Sequence, residues 1–534
     1  MKLFARAWHT LASSRVIALT VCALFTLGAA IVVVMHSDTI LDEGEYLYNG
    51  WMTISHGWRP FADIHTRTLP LIYYIYGIPQ AIFGRSLLFG RIQATAITLI
   101  TLALSALLAR RLSSGWAAPL VVGIFAFNLT AGMQYYRALA IAPTALCLVL
   151  ALYCIVQENP RPWHLYAGSL ATACLVLCRH DMIPVAALLW LYLWWDHRQE
   201  GPHTLGALGA GIALLGMVSA HFFLLAPRQF AEIIFQGALS PGKIVGGPYA
   251  NWAEPRSAAT VAWHLMMFFR CYLPAILLLA PAVGYCLRKG VENGSQLCTT
   301  IRQHRGVALV LGVAAVNYFS HLLGIGLFGF RLHYMLDLYI FFPVAIGAAA
   351  SFVLAVAAIR APAYRFQLAA FGIVALLTPL VVSDMPPPGL SSQRPTHLEQ
   401  IATGAEAIRR LIPEDVQAFS LDDPHQFLAA ERKLFPELTW QLFLFSESND
   451  TETVRARHYY NKEMIDEWLR GKATYAVIGD GLVDWMLHSG RYERGEELRD
   501  FIFSRLEANY TLLETVQGSY MGPTHIYRLK EQHP

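Results

Sequence analysis

The stretch VIALTVCALFTLGAAIVVVM (Val16–Met35) is an unbroken apolar run of 20 residues, and the acidic and aromatic stretch TILDEGEYLYNGW (Thr39–Trp51) follows it closely. A helix of about 20 residues crosses the hydrocarbon core of a bilayer. Similar runs recur along the 534 residues, of which 55% are hydrophobic and 14% charged, whereas soluble domains have about 25% charged residues. The sequence therefore predicts a polytopic α-helical membrane protein that is embedded in the lipid bilayer. It is not expected to bind nucleic acid.

The first apolar run could be a signal peptide, but two features favour a retained span. The run is longer than the apolar part of a signal peptide, which has about 7–15 residues. The residues at its end, Met35–Ser37, do not form a small-x-small cleavage site.

The positions of basic residues predict the topology, because cytoplasmic loops collect Lys and Arg. Lys2, Arg6 and Arg15 place the N-terminus inside. About eleven spans then lead to a C-terminus outside the cytoplasm, in a multi-pass protein of the plasma (inner) membrane. The predicted spans are about 16–35, 91–109, 116–132, 138–156, 164–178, 183–195, 205–226, 271–287, 307–328, 335–358 and 366–383.

The charge balance divides the chain into two domains. Residues 1–383 carry 24 Lys/Arg against 13 Asp/Glu, and residues 384–534 carry 16 against 24. The first part is predicted to be the transmembrane domain, with long outer loops at 37–90 and 227–257. The second part has the size of one ordinary domain, and the rigid stretch MPPPG (Met385–Gly389) separates it from the last span.

Residues 384–534 are predicted to form a small extracytoplasmic α/β domain. Alternating or continuous apolar patterns predict strands at Glu414–Leu421, Ala473–Asp480 and His525–Lys530. Amphipathic patterns predict helices at His397–Leu411 and at about 485–508. The sequence of this domain contains neither a nucleotide-binding loop nor a catalytic triad.

Polar residues gather on the outer side of the predicted topology. Convergent Arg groups suit a phosphate, and the carboxylate pair Asp42–Glu43 beside them could accept a proton from an attacking hydroxyl or amine. The pair could equally form salt bridges with the same arginines. Glu45 is expected to be solvated, and Arg91 by itself is typical of an interfacial anchor. The cationic candidates are Arg67, Arg137, Arg179, Arg331 and His333.

A series of motifs resembles the GT-C superfamily of membrane glycosyltransferases, in the branch of protein O-mannosyltransferases and the aminoarabinose transferase of lipid A. Where that branch has Glu-Lys-Pro-Pro, this sequence has TRTLP (Thr66–Pro70), with Arg67 as the nearest substitute for the Lys. The matching features are Asp42-Glu43, Tyr46, GWRPFAD (Gly57–Asp63), PLIYY (Pro70–Tyr74), Phe83-Gly84, Arg91, Arg137, CRHD (Cys178–Asp181) and RLHY (Arg331–Tyr334).

The resemblance implies transfer of a sugar from a polyprenyl-phosphate donor to an extracytoplasmic glycolipid, polysaccharide or protein, with inversion at the anomeric carbon. Asp42 would be the general base, and Glu43 would orient the acceptor or serve a metal. Some relatives use a divalent cation, but no separate acidic ligand pair is present here, so no metal is assigned. The donor phosphate would be bound by Arg67, Arg137, Arg331 and His333. Candidates for contact with acceptor or sugar are Tyr46, Trp51, Asp63 and Arg179.

Three other functions stay open from the sequence: a transporter or flippase of lipid-linked sugars, a polysaccharide polymerase or ligase, and a non-catalytic scaffold. A transporter usually has polar residues at the middle of the bilayer and broken helices in corresponding halves. The acids of this sequence gather at one surface, and no internal repeat is found. The pattern therefore favours an enzyme.

Overall fold

The computed structural model describes residues 2–38, 41–66, 68–112, 117–126, 129–232, 234, 305–328, 396–440, 444–448, 450–481, 483–484, 495–519 and 522–531. Up to residue 328 the described chain is helical. Its helices are α1 (Lys2–His36), α2 (Leu41–His56), α3 (Leu71–Phe83), α4 (Leu87–Leu112), α5 (Ala117–Ala126), α6 (Leu129–Tyr135), α7 (Ile141–Ile155), α8 (Pro162–Cys178), α9 (Ile183–His197), α10 (Pro202–Leu225), α11 (Pro227–Ala231) and α12 (Arg305–Phe328), with short 3-10 turns at His180–Met182 and Arg198–Glu200.

The helices agree with most of the predicted spans that fall on described residues. By length and composition, three described helical segments could cross a membrane: Val16–His36, Leu87–Leu112 and Pro202–Leu225. The predicted span at 116–132 differs, because α5 ends at Ala126 and α6 continues to Tyr135. The predicted spans at 271–287, 335–358 and 366–383, most of the loop 227–257 and the domain boundary near 383 lie outside the described residues.

Contacts between helix ends form two separate groups. In one group, Arg111 at the end of α4 donates to the Tyr153 carbonyl of α7 at 3.2 Å, and Arg305 at the start of α12 pairs with Asp196 of α9. In the other group, the start of α4 meets the end of α1 through Arg91. The helices therefore pack as one bundle with two distinct ends, and the predicted cytoplasmic loops meet at the first.

Residues 396–531 contain a five-stranded sheet with the order β2-β1-β3-β5-β4. β1 pairs in parallel with β2 and β3, and β5 pairs antiparallel with β3 and β4. The predicted strands at β1, β3 and β5 are confirmed, as is the helix His397–Leu411, whereas β4 was not predicted. The elements are α13 (His397–Leu411), β1 (Gln417–Leu421), α14 (Pro424–Ala430), β2 (Lys433–Leu434), α15 (Thr451–Ala456), α16 (Lys462–Glu467), β3 (Tyr475–Gly479), α17 (Gly495–Asn509), β4 (Tyr510–Ser519) and β5 (Gly522–Leu529), with a 3-10 turn at Pro436–Leu438 and a π-helical turn at Trp468–Lys472.

Local sequence explains how the sheet domain is ordered. Thr396 caps α13, because its hydroxyl accepts a hydrogen bond from the Glu399 backbone N–H, and the Glu399 carboxylate accepts one from the Thr396 backbone N–H. Both backbone donors at the start of the helix are thereby satisfied. Trp468 is 1% exposed and packs against Phe419 and Phe435 in the core beneath the sheet. Burial of such aromatic side chains supplies much of the stability of a small domain.

The sheet domain contacts the second group of helix ends. The Nε2 atom of His458 lies 3.0 Å from the Phe61 carbonyl. Arg457 pairs with Glu232 after α11 at 3.2 Å. Arg85, before α4, lies 3.5 Å from Glu431. The sheet domain therefore sits on the end of the bundle that carries the predicted site.

Asp422 gives the sheet domain a predicted pH dependence. Its carboxylate is fully buried and accepts a hydrogen bond from Thr524, and burial raises its pKa from the ordinary 3.8 to about 7. The folded state thus binds a proton more tightly than the unfolded chain, so Asp422 lowers stability as the pH rises from about 4 to about 7. In Asp422→Asn we expect this part of the pH dependence of the unfolding midpoint to be lost. An unchanged profile would contradict the assignment.

Candidate active site

Asp42, the predicted general base, lies in the first turn of α2 and is half-buried. The helix starts just after α1 ends, at the end of the bundle that the sheet domain covers. Its immediate neighbour Glu43 is completely buried. Two adjacent carboxylates therefore have different surroundings, and only Asp42 has a solvent-accessible part.

Glu43 forms a buried ion pair with Arg91 of α4. Both side chains are 0% exposed, and the contact is bidentate, with Nε to Oε1 at 3.0 Å and Nη2 to Oε2 at 2.8 Å. The Ala138 backbone N–H donates to Oε1 at 2.9 Å. Burial by itself would raise the pKa of Glu43, but the charge and hydrogen bonds of Arg91 hold this pKa below its ordinary value of 4.5.

Arg91 also closes the end of α1. Its guanidinium donates to the carbonyls of Val34 at 3.3 Å, Ser37 at 3.1 Å and Asp38 at 2.8 Å. A buried guanidinium is stable only when its donors are satisfied. Arg91 is therefore a buried connector of α1, α2 and α4, and the interpretation of this residue as an interfacial anchor is wrong.

The geometry of Glu43 does not fit a metal ligand. A ligating carboxylate needs free lone pairs directed at the ion, whereas both Glu43 oxygens accept hydrogen bonds from Arg91. Among the described residues, no group of three or more His, Cys, Asp or Glu side chains could hold a metal ion. We derive no step of the chemistry through a metal.

Glu45 is buried, so the expectation that it is solvated is wrong. It is 0% exposed and accepts a hydrogen bond from the Tyr73 hydroxyl of α3 at 3.0 Å. On the next turns of α2, Gly50 lies against the backbone of Gly77 so closely that a Cβ there would stand 2.6 Å from the Tyr73 carbonyl oxygen. The acidic stretch thus packs α2 onto α3 and α4.

Of the predicted phosphate-binding cations, the structure describes Arg137. It is 5% exposed and donates to the Asp38 carbonyl at 3.1 Å. The same carbonyl accepts from Arg91, and the charge of Arg137 helps to lower the pKa of Glu43. Arg137 therefore lies beside the start of α2. Arg67, Arg331 and His333 lie outside the described residues.

The four candidates for contact with sugar or acceptor occupy different surroundings. Tyr46 is 6% exposed, and its ring lies 6.0 Å from that of Tyr73. Trp51 is 2% exposed and packs edge-on against Tyr48. Asp63 forms an ion pair with Arg59 at 2.8 Å, and Arg179 pairs with Asp181. These contacts also fit structural roles, and the roles in sugar or acceptor binding stay predictions for all four residues.

An apolar groove of about 420 Å³ opens beside the site. α3 connects the two, because Tyr73 bonds Glu45 whereas its neighbours Leu71 and Tyr74 line the groove. No sequence pattern indicated this groove, since its walls come from three helices, α3, α8 and α10, that are distant in sequence. It is lined by Pro70, Leu71, Tyr74, Cys174, Leu177, Leu214, Met217, Val218, His221 and Phe222.

The fold of the described chain is similar to the folds of two solved proteins, ArnT and an oligosaccharyltransferase, which both belong to the GT-C superfamily that the motifs resemble. The chain is similar to ArnT from Cupriavidus metallidurans in the apo state, with a TM-score of 0.55 and 14% identity over 97% of this chain and 98% of that one. ArnT bound to undecaprenyl phosphate gives a TM-score of 0.56 and 11% identity over 97% and 99% of the two chains.

A second similarity is to the apo oligosaccharyltransferase of Archaeoglobus fulgidus, with a TM-score of 0.50 and 12% identity over 93% of this chain and 73% of that one. No protein-family model and no curated protein sequence matches the chain. At such low identity the likeness establishes the fold, and the chemistry has to be argued from the residues of this chain.

Proposed function

We propose that this protein is a membrane glycosyltransferase of the plasma membrane that moves a sugar from a polyprenyl-phosphate donor to an extracytoplasmic acceptor. The placement of Asp42 carries the proposal. Its half-buried carboxylate starts a helix that the buried Glu43–Arg91 pair holds in place, and Arg137 lies beside it. A fixed base next to a cation is what transfer from a lipid phosphate requires.

In the proposed reaction, Asp42 takes the proton of an acceptor hydroxyl or amine while the acceptor atom attacks the anomeric carbon. The bond between that carbon and the phosphate oxygen breaks, and its electron pair leaves with polyprenyl phosphate. Attack from the face opposite the leaving group inverts the configuration. The proton on Asp42 then passes to solvent, which restores the base.

Cations stabilise the negative charge that develops on the leaving phosphate, and this is often the largest catalytic contribution. Arg137 is held at the start of α2 by its bond to the Asp38 carbonyl. Arg67, Arg331 and His333 are assigned the same task from the resemblance. Glu43 orients the site through Arg91, and a direct contact of Glu43 with the acceptor is not part of the proposal.

The apolar groove is the proposed path of the polyprenyl chain. ArnT has been solved with undecaprenyl phosphate bound. The groove of this chain has walls made almost entirely of apolar side chains, and α3 connects it to α2. A polyprenyl chain bound in this groove would remove apolar surface from water, which favours binding. The phosphate at the end of the chain would lie near the cations.

Filling the groove is expected to weaken binding of undecaprenyl phosphate. Val218 lines the groove, and in Val218→Trp we expect the dissociation constant to rise about tenfold, which corresponds to about 1.4 kcal/mol. Ile212→Trp is the control, because Ile212 lies on the same helix, is 56% exposed and does not line the groove. Binding can be measured in detergent by titration. Equal affinities of the two variants would contradict the assignment of the groove.

The central experiment follows the release of polyprenyl phosphate. Purified protein is incubated with radiolabelled undecaprenyl-phosphate sugars and with membrane extracts that supply acceptors. An enzyme produces free undecaprenyl phosphate and a labelled acceptor, whereas a transporter in vesicles moves the intact donor. Movement of intact donor without release would refute the proposed function.

A further inference from the structure

The sheet domain reaches the helix that carries Asp42, at a surface that the proposed reaction does not use. The Tyr48 hydroxyl of α2 accepts from the Leu434 backbone N–H at 2.8 Å and donates to the Arg432 carbonyl at 3.2 Å. Both Tyr48 and Leu434 are completely buried. Residues almost 400 positions apart are thus joined by a hydrogen-bonded hydroxyl inside the protein.

A second contact lies one turn earlier, at Gly44. A Cβ at this position would stand 2.5 Å from the Pro424 side chain and 3.2 Å from the ring of His425. Atoms cannot approach that closely without a shift of the backbone or of the proline. Glycine therefore allows α14 to lie directly on the backbone of α2.

His425 is held in position for this contact. It is 0% exposed, its Nδ1 bonds the Asp423 carboxylate, and its backbone N–H donates to the same carboxylate at 3.0 Å. Asp423 thereby both caps α14 and orients the imidazole ring of His425.

The helical repeat separates this docking surface from the reactive one. Residues of an α-helix advance by about 100° each. Gly44 and Tyr48, four residues apart, therefore share one face, and Asp42 points about 160° away from Gly44. The sheet domain therefore contacts the face of α2 that lies opposite Asp42. A further contact of the domain is at the end of α1, where His397 lies 3.4 Å from Asp38.

We propose that the sheet domain is a working part of the active site, in which Tyr48, Gly44 and the Asp423–His425 pair are positioning residues that set the placement of Asp42. This inference rests on the proposed function of Asp42. Docking fixes the start of α2, so a loosened contact moves the base away from the acceptor. Errors of about 1 Å in such placement cost up to about a hundredfold in rate.

The test compares Tyr48→Phe with Tyr510→Phe. Each change removes one buried phenolic hydroxyl, but the Tyr510 hydroxyl bonds the Trp468 and Ala473 carbonyls within the sheet domain. For Tyr48→Phe we expect kcat for release of undecaprenyl phosphate to fall about tenfold or more, with unchanged affinity for undecaprenyl phosphate. Tyr510→Phe should lose stability but keep kcat. Equal effects on kcat would overturn the inference.

A second test, Gly44→Ala, disturbs the same contact by adding a Cβ that would stand 2.5 Å from the Pro424 side chain. Gly28→Ala is its control, because a Cβ on Gly28 meets nothing within 4 Å.

Amide hydrogen exchange at residues 41–50 gives a measurement that does not need turnover. We expect faster exchange there in Tyr48→Phe and Gly44→Ala, and unchanged exchange would overturn the inference. If the wild-type protein released no undecaprenyl phosphate from any donor, the proposed function would fail, and exchange would still decide whether docking orders α2.

Discussion

Asp42→Asn is expected to abolish sugar transfer while the protein stays folded. The amide keeps the size of the side chain but cannot accept the proton of the acceptor, and loss of a general base costs about a hundredfold to ten-thousandfold in rate. Asp42 is half-buried, so the substitution leaves the buried contacts of α2 in place. The measurement is release of undecaprenyl phosphate by purified protein, together with the thermal unfolding midpoint.

Asp500→Asn serves as the control for Asp42→Asn. Asp500 is an exposed residue on α17 of the sheet domain, so the same chemical change should leave both rate and midpoint as in the wild type. The affinity of Asp42→Asn for undecaprenyl phosphate should also be unchanged, because the cations and the groove remain. Transfer by Asp42→Asn at the wild-type rate would exclude Asp42 as the base.

Arg91→Met is expected to cause the largest loss of stability, about 3–5 kcal/mol in the free energy of unfolding. The change leaves Glu43 buried without its cation and removes the donors to the Val34, Ser37 and Asp38 carbonyls. The double variant Glu43→Met with Arg91→Met should recover much of this loss, because no buried charge remains. Arg85→Met is the control, since its partner Glu431 lies at 3.5 Å and both are partly exposed.

The same pair predicts a stability loss in acid. The folded pKa of Glu43 lies below the ordinary 4.5, so its contribution is fully present above pH 4.5 and is lost as the pH falls through the folded value. In the double variant this part of the acid transition should be absent. If Arg91→Met were as stable as Arg85→Met at neutral pH, the pair would not hold the bundle together.

The fold was largely predictable because its signals are local. Apolar runs such as Val16–Met35 mark helices wherever they occur. The amphipathic pattern of His397–Leu411 and the apolar strands at Gln417–Leu421 and Tyr475–Gly479 needed no knowledge of distant residues. β4 was not predicted because much of it is polar or exposed, so its sequence lacks a clear strand pattern. The strand is instead stabilised by its antiparallel pairing with β5.

The site was predictable in part. The motif around Asp42 resembles that of the GT-C branch, and this resemblance indicated Asp42 as the candidate base. The sequence did not distinguish Asp42 from Glu43 and Glu45 by environment. That distinction depends on Arg91 and Tyr73, which lie 48 and 28 residues further along the chain.

The sequence by itself predicted a polytopic membrane protein with an α/β domain near its C-terminus, and it placed the acids of residues 42–45 just after the first apolar run. The tertiary structure alone decided that Glu43 and Glu45 are buried, that Arg91 neutralises one of them, and that the sheet domain holds α2 through Tyr48. The physical reason is that membrane-spanning helices can be recognised from the hydropathy of consecutive residues. The burial and charge pairing of a carboxylate depend instead on which groups, distant in sequence, come into contact with it in the folded protein.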